Sequence, residues 1–401
     1  MESAGGVRNR LAAGVRLGAA VAAGTVLVGA ASLTVALTRR VVTPVRRRRG
    51  DTRVLAIDGD VITLAPGADA RLRGLYGFLF DGGASRANLG DVLSDDERGI
   101  RRPITAVDGG PLRAGALGWF TGVLNADPAA EGLPFDDVTV VGPVGDLPAW
   151  FVPAEGAARD VWAIHVHGRG VQRRETLRGV PPFRRAGVPS LVVSWRNDGE
   201  GPEADSGRYT LGEREWADVD AAVGWALANG ARTVVLIGWS MGGQMVLQET
   251  LRGRHRGAVI GLMLESPVIA WREVLEAQAA EAHVPALIRR LAYAVLGSRL
   301  AWVSGQRVPI RLDALDLVAR ARELAVPVLL LHSDEDGFVP SGASRALAAA
   351  RPDLVTFLSF PGARHVKLWN LDPEAWTAAV EGWLATLLAA PASDEARRQR
   401  S

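Results

Sequence analysis

Residues 234–243 read Val234-Val235-Leu236-Ile237-Gly238-Trp239-Ser240-Met241-Gly242-Gly243, an apolar run that breaks into glycine around one serine. Four consecutive branched apolar residues suit a strand buried on both faces, and the residues after Ser240 carry a helical pattern to about Arg252. The glycines flank the serine because a sharp strand-to-helix turn brings backbone so close that any side chain at Gly238 or Gly242 would collide with it. Ser240 is therefore expected at the exposed apex of a tight G-x-S-x-G turn.

Outward from this turn, further short apolar runs alternate with helical periodicity. The expected strands are Val161 to Val166, Ser190 to Ser194, Thr233 to Ile237, Val259 to Leu264, Val326 to His332 and Val355 to Phe360. A hairpin, Val138 to Val141 with Leu147 to Val152 around Gly142-Pro143, leads into them. Strands alternating with helices argue for a mostly parallel sheet covered on both faces. Thr210-Leu211-Gly212-Glu213 has capping-box spacing before a helix from Trp216 to Asn229, which Gly230 ends. Residues 267–322 are helical in period and too long for a simple crossover, so they are read as a lid. Upstream, residues 51–137 alternate short apolar runs with Gly and Asp, as in Val54 to Leu64, and are read as an accessory β-rich region. The expected division is 1–50, 51–137, 138–390 and a tail, 391–401.

A serine hydroxyl is a weak nucleophile at neutral pH and needs a base with a carboxylate to orient it. Two loops offer these groups, each after an expected strand: His332-Ser333-Asp334-Glu335-Asp336-Gly337-Phe338-Val339-Pro340, and Pro361-Gly362-Ala363-Arg364-His365. The chain order serine, acid, histidine, together with the elbow, resembles the α/β-hydrolase arrangement over residues 138–388. The acid loop is similar to the family pattern H-G-x-x-D-x-x-V-P, with Ser333 where glycine is usual. The resemblance implies an α/β-hydrolase fold, Ser240 as nucleophile, His365 as base and Asp336 as acid, with Asp334, Glu335 and Glu265 as alternative acids. It also implies an oxyanion hole from the Met241 amide and from His167-Gly168-Arg169-Gly170, where Arg169 is favoured over Gly168. The hydrophobic N-terminus, β-rich lead-in and helical insert are similar to membrane-associated serine hydrolases of the serine aminopeptidase-like group.

The implied activity is hydrolysis of a small or lipid-like acyl ester through an acyl-enzyme, without a cofactor. An acyltransferase, a serine peptidase and a non-enzymatic binding protein on the same fold are the alternatives. Arg173, Arg174 and Arg178 are read either as partners of an anionic substrate group or as a solvated face. His165 and His167 alternate on a strand and lack the further ligands of a metal site, so none is expected. Trp271 and Trp302 are candidates for an acyl pocket or for ordinary core, and no catalytic role is given to residues 196–201.

Composition bounds the rest. A chain of 401 residues with 48% hydrophobic content can bury a large core, and a formal net charge of +2 gives no nucleic-acid footprint. Lys367 is the only lysine, and there is no cysteine, which excludes disulfides and thiolate nucleophiles. Leu17 to Thr38 is 22 residues without a charge, about the length that crosses a bilayer. With Arg39, Arg40 and Arg46 to Arg49 following, the expectation is a single membrane span with the catalytic domain in the cytoplasm. A cleaved signal peptide, with its site near Ala31 and a secreted product, is the alternative.

Overall fold

Strand β12 (Thr233–Trp239) contains the apolar run before Ser240, and Val234, Val235, Leu236 and Ile237 are all fully buried. Val234 and Leu236 face one core while Val235 and Ile237 face another. Burying each such side chain contributes roughly 1.5–3 kcal/mol, so the strand must be covered on both sides. The computed structural model describes residues 24–25, 27–44 and 48–390.

Around β12 lies an eight-stranded sheet. Its parallel part comprises β10 (Val161–Val166), β11 (Ser190–Val193), β12, β13 (Val259–Glu265), β14 (Val328–His332) and β15 (Val355–Ser359), in the spatial order β15-β14-β13-β12-β10-β11. The antiparallel hairpin β8 (Asp136–Gly142) and β9 (Gly145–Val152) adds to the β11 edge. Helices α3 (Trp216–Ala228) and α4 (Met241–Arg252) pack on one face, whereas α2 (Val180–Arg185) and α9 (Pro373–Ala389) pack on the other. The chain runs from β10 outward to β11 and returns to the far side of β10 as β12. That reversal opens a crevice at the carboxyl ends of β10 and β12, where open α/β sheets bind ligands.

The β-rich region is a closed antiparallel barrel. Strands β1 (Thr52–Asp58), β2 (Val61–Leu64), β3 (Tyr76–Phe80), β4 (Ser85–Leu89), β6 (Gly99–Asp108) and β7 (Leu117–Thr121) pair in the ring β2-β1-β7-β3-β4-β6, and β6 returns to β2. The short β5 (Ser94–Asp96) pairs with β6 outside the ring. Closure removes the unpaired edges that make small sheets aggregation-prone. Inside, Arg102 is fully buried and donates to the carbonyls of Ala70, Leu72, Gly74 and Gly90. Its guanidinium lies over the Tyr76 and Phe120 rings, and burial pushes its pKa down to about 10.

The structure does not bear out the expected membrane span. Residues 17–23 and Val26 lie outside the described residues, and among the described residues no helix is long and apolar enough to cross a membrane. Residues 27–42 form helix α1, whose stripe Thr34, Thr38 and Val42 is buried, with Val42 inside the main core beside the eight-stranded sheet. The C-terminal end of α1 is held by the folded domain: the Tyr209 amide donates to Val42 O at 2.8 Å, Arg169 to Arg40 O at 2.9 Å, and Arg39 to Val303 O at 3.0 Å. The single span, the membrane as a partner, and the cytoplasmic placement inferred from that span all fall together. The tail from Pro391 lies outside the described residues.

The start of α3 differs from its expected cap. Glu215, not Glu213, reaches back to Thr210, accepting from its amide and hydroxyl and from the Gly212 amide. Leu211 and Gly212 both take positive φ, 60° and 95°, which winds the loop enough to bring Glu215 under Thr210. Glu213 instead pairs with Arg311 and Arg252.

One buried acid on α4 sets a pH dependence of stability. Burial, with the Asp220 carboxylate beside it, pushes Glu249 up to about 9. Between the unfolded value near 4.3 and that figure, the native state binds one proton more than the unfolded state, so this group makes stability fall as pH rises. Glu249→Gln removes the penalty and is expected to raise the unfolding free energy at pH 8, with a gain that shrinks by roughly 1 kcal/mol per pH unit toward pH 5. Urea unfolding at the two pH values checks it; an equal gain at both would reject the buried-acid account.

Candidate active site

Ser240 stands between β12 and α4 with φ 51° and ψ −116°, a conformation that non-glycine residues seldom adopt. Its surroundings force this turn. A Cβ on Gly242 would lie 2.2 Å from Val166 O and 2.6 Å from His167 O, and one on Gly238 would lie 2.6 Å from Gly243 Cα. These are backbone atoms, which cannot swing aside as a side chain can. Gly242→Ala is therefore expected to cost about 1–3 kcal/mol of stability and to slow active-site labelling about tenfold by displacing the serine. Thermal unfolding and the labelling rate check this; wild-type values for both would mean that the turn is not tightly packed.

Three sequence-distant side chains meet at the apex. His365 Nε2 lies 2.9 Å from Ser240 Oγ, and His365 Nδ1 lies 2.8 Å from Asp336 Oδ2. Because a carboxylate only accepts, Nδ1 carries the proton toward Asp336 and Nε2 presents its lone pair to the serine hydroxyl. Asp336 follows β14 and His365 follows β15, so parallel strands deliver both to the crevice edge that holds Ser240. Ser240 is 6% exposed, and the Phe338 ring lies against His365 at 5.1 Å between centroids.

Asp336 is nearly completely buried yet fully partnered. Its Oδ1 accepts from the amides of Phe338 at 3.0 Å and Val339 at 2.7 Å, and His332 Nε2 lies 3.3 Å from Oδ2. Burial alone would raise the carboxyl pKa; the electrostatic interaction with His365 and the hydrogen bonds from His332, His365 and Val339 outweigh it and hold the group well below the usual carboxylate range. The alternative acids point elsewhere. Asp334 pairs with Arg345, Glu335 accepts from Gly362 N and Ser333 Oγ, and Glu265 accepts from Trp376 Nε1 and Leu368 N.

The loop after β10 presses against the serine: a Cβ on Gly168 would lie 2.9 Å from Ser240 Cβ. Met241 opens α4, so its amide belongs to the first turn, where no intrahelical acceptor exists. His167 Nδ1 lies at hydrogen-bond distance from Gly168 O, 2.9 Å. In a trans peptide the Arg169 N–H points opposite to that carbonyl, so this bond fixes the direction of the Arg169 amide. His167 is held in turn by Asp198 at 3.0 Å and by the stacked Trp195 ring. Asp198 also accepts from the amides of Trp195, Glu200 and Gly201. Residues 196–201 carry no mark of a role at the site in the sequence; the partners are 31 positions apart, and only the parallel pairing of β10 with β11 brings the loops after them together.

The other candidate side chains go to structural duties. Arg178 is neither a solvated-face residue nor open to substrate: it is buried against Glu175 and donates to Val366 O at 2.7 Å. Arg173 lies over the Trp150 ring at 3.9 Å. His165 is fully buried against Ser190 Oγ and the Trp239 ring, and burial pushes it down to about 3. Trp271 is buried and donates to Leu211 O, whereas Trp302 is 67% exposed.

Comparison with known proteins agrees with the topology. A sequence profile described as "Alpha/beta hydrolase family" matches residues 163–380, more than half of the chain, and one described as "Domain of unknown function (DUF8805)" matches residues 53–121. No curated protein matches the chain significantly. Among solved structures, the Pyrococcus furiosus esterase Pf2001 is similar at 17% identity, with 65% of this chain and 94% of that chain covered and a TM-score of 0.50. A second crystal form of that esterase gives 18%, 66%, 97% and 0.50. The esterase RhEst1 from Rhodococcus sp. ECU1013 gives 19%, 63%, 99% and 0.44. At such identities the likeness is one of fold. By the profile match and the sheet order, the chain belongs to the alpha/beta hydrolase family and is a hydrolase.

Proposed function

We propose that the protein is a serine hydrolase that cleaves small-molecule acyl esters. The observation that carries this reading is the continuous relay from Asp336 Oδ2 through His365 to Ser240 Oγ, with both contacts at hydrogen-bond distance. Ser240 Oγ attacks the ester carbonyl as His365 Nε2 takes its proton, and Asp336 stabilises the resulting imidazolium. The amides of Met241 and Arg169 receive the developing oxyanion. His365 then returns the proton to the leaving alkoxide, and a water that His365 deprotonates releases the acid from Ser240. The near-complete burial of Ser240 and the cover of Phe338 over His365 favour a compact acyl group. The similar fold of proteins described as esterases supports an ester over an amide as the scissile bond.

The test is covalent labelling of the whole chain by a fluorophosphonate probe, alongside turnover of p-nitrophenyl acetate and longer acyl esters. Stoichiometric labelling with fastest turnover of the short ester is expected. A folded protein that neither labels nor turns over any ester would reject the reading.

A further inference from the structure

We infer that the N-terminal barrel has a catalytic duty: it braces the loop that carries His365, and Asn370 is the positioning residue through which it acts. This rests on the reading of His365 as the general base. The loop from Gly362 to Leu371 leaves the edge strand β15 and has no sheet pairing of its own, so something else must fix it. On the hydrolase side its amides at Gly362, Val366 and Leu368 donate to Glu335, Ser266 and Glu265, and the barrel holds its far end. Asn370 is fully buried, and its Nδ2 donates to Leu75 O at 2.8 Å and to Gly122 O at 3.1 Å, carbonyls at the adjacent ends of the paired strands β3 and β7. The Leu75 amide returns a bond to Asn370 O at 2.8 Å. Arg178 bridges the same two parts, donating to Gly122 O and to Val366 O, the carbonyl directly after His365.

The barrel end of this brace is itself rigid. Gly74 is held at its amide by Asp91 and at its carbonyl by Arg102, whose remaining bonds also go to carbonyls of the barrel. Contact across the junction leaves no slack. A Cβ on Gly74 would lie 2.1 Å from Asn370 O, and one on Gly122 would lie 2.9 Å from Asn370 Oδ1 and 3.1 Å from Arg178 Nη1. A chain of direct contacts therefore runs from Arg102 in the barrel through Gly74, Leu75 and Asn370 to the helical turn α8 (Leu368–Leu371) that ends the histidine loop. The barrel touches neither Ser240 nor Asp336 through these contacts, so its influence falls on the histidine.

The experiment compares the full chain with Asn370→Ala, Gly122→Ala and the double variant, reading kcat and KM for p-nitrophenyl acetate, the fluorophosphonate labelling rate and the unfolding midpoint. Each single variant is expected to lower kcat and the labelling rate about tenfold, because a small misplacement of a catalytic group has that order of effect, while KM changes less than about twofold. Acting on one junction, the two changes are expected to be non-additive, leaving the double variant close to the slower single one. If Asn370→Ala does not fold, Asn370→Asp, which keeps the shape and removes the donor, is read instead. Variants that lose thermal stability but keep wild-type kcat, or effects that multiply in the double variant, would overturn the brace. If His365→Ala itself retains wild-type turnover, the underlying reading of the site fails instead, and the two failures are thereby told apart.

Discussion

Replacing Ser240 by alanine is expected to lower kcat on the order of 10⁶-fold, with KM little changed and fluorophosphonate labelling abolished. The magnitude follows from what is lost. Only the Oγ is removed; alanine keeps the Cβ that Gly168 packs against, and it meets the same strain at φ 51°. The fold and the amides of Met241 and Arg169 remain, so a residual acceleration of about 10³-fold over water is expected from the oxyanion donors and binding. His365→Ala should cost nearly as much, and the Ser240→Ala, His365→Ala double variant should be no slower than either alone, since the two groups perform one proton transfer. Single-turnover and steady-state measurements on short esters decide the matter. A Ser240→Ala protein retaining more than about one thousandth of wild-type turnover would assign the nucleophile elsewhere.

What the sequence made legible, and what it did not, divides along the range of the interactions involved. The strand Val161 to Val166 coincides with β10, and the other parallel strands agree to within two residues. Doubly buried strands leave uninterrupted apolar runs, and glycine or charge marks their ends. The loops with Ser240, Asp336 and His365 were legible for the same reason, since parallel topology puts the ends of all such strands on one edge. Non-local choices were not. Barrel closure through β2 and β6 joins two half-polar strands whose patterns carry no mark of each other. The His167–Asp198 pair and the Asn370 junction depend on contacts 31 and 248–295 positions apart. Residues 17–38 misled because an uncharged Ala- and Gly-rich stretch of that length reads as a span whether or not its helix is apolar enough to make one; among the described residues none is. Only the C-terminal half of α1 is docked, through Val42 in the hydrolase core and Arg169 on the Arg40 carbonyl.

Asp336→Asn is expected to lower kcat about 10⁴-fold while leaving the backbone in place, and the reason is a tautomer, not a lost contact. The Asn oxygen can keep the bonds from the Phe338 and Val339 amides. Its NH₂ then replaces the oxygen that now faces His365 Nδ1 at 2.8 Å and His332 Nε2 at 3.3 Å. Two donors would meet a donor, and the clash at His365 is relieved only if its proton moves to Nε2, where it can no longer accept from Ser240. His332 faces the same conflict, with Ser344 Oγ on its other nitrogen at 2.8 Å, so stability is expected to fall as well. Because the folded-state pKa of Asp336 is depressed, its contribution is fully present above the unfolded value near 3.9 and is lost as pH falls through the lower folded value. The variant should therefore be less stable than wild type by on the order of 2 kcal/mol at pH 7, with the difference closing below about pH 3. Ester turnover at pH 7 and urea unfolding at pH 7 and pH 3 check both halves. Turnover within about tenfold of wild type would show that Asp336 does not set the histidine tautomer, and a stability difference independent of pH would show that its charge is not what the fold uses.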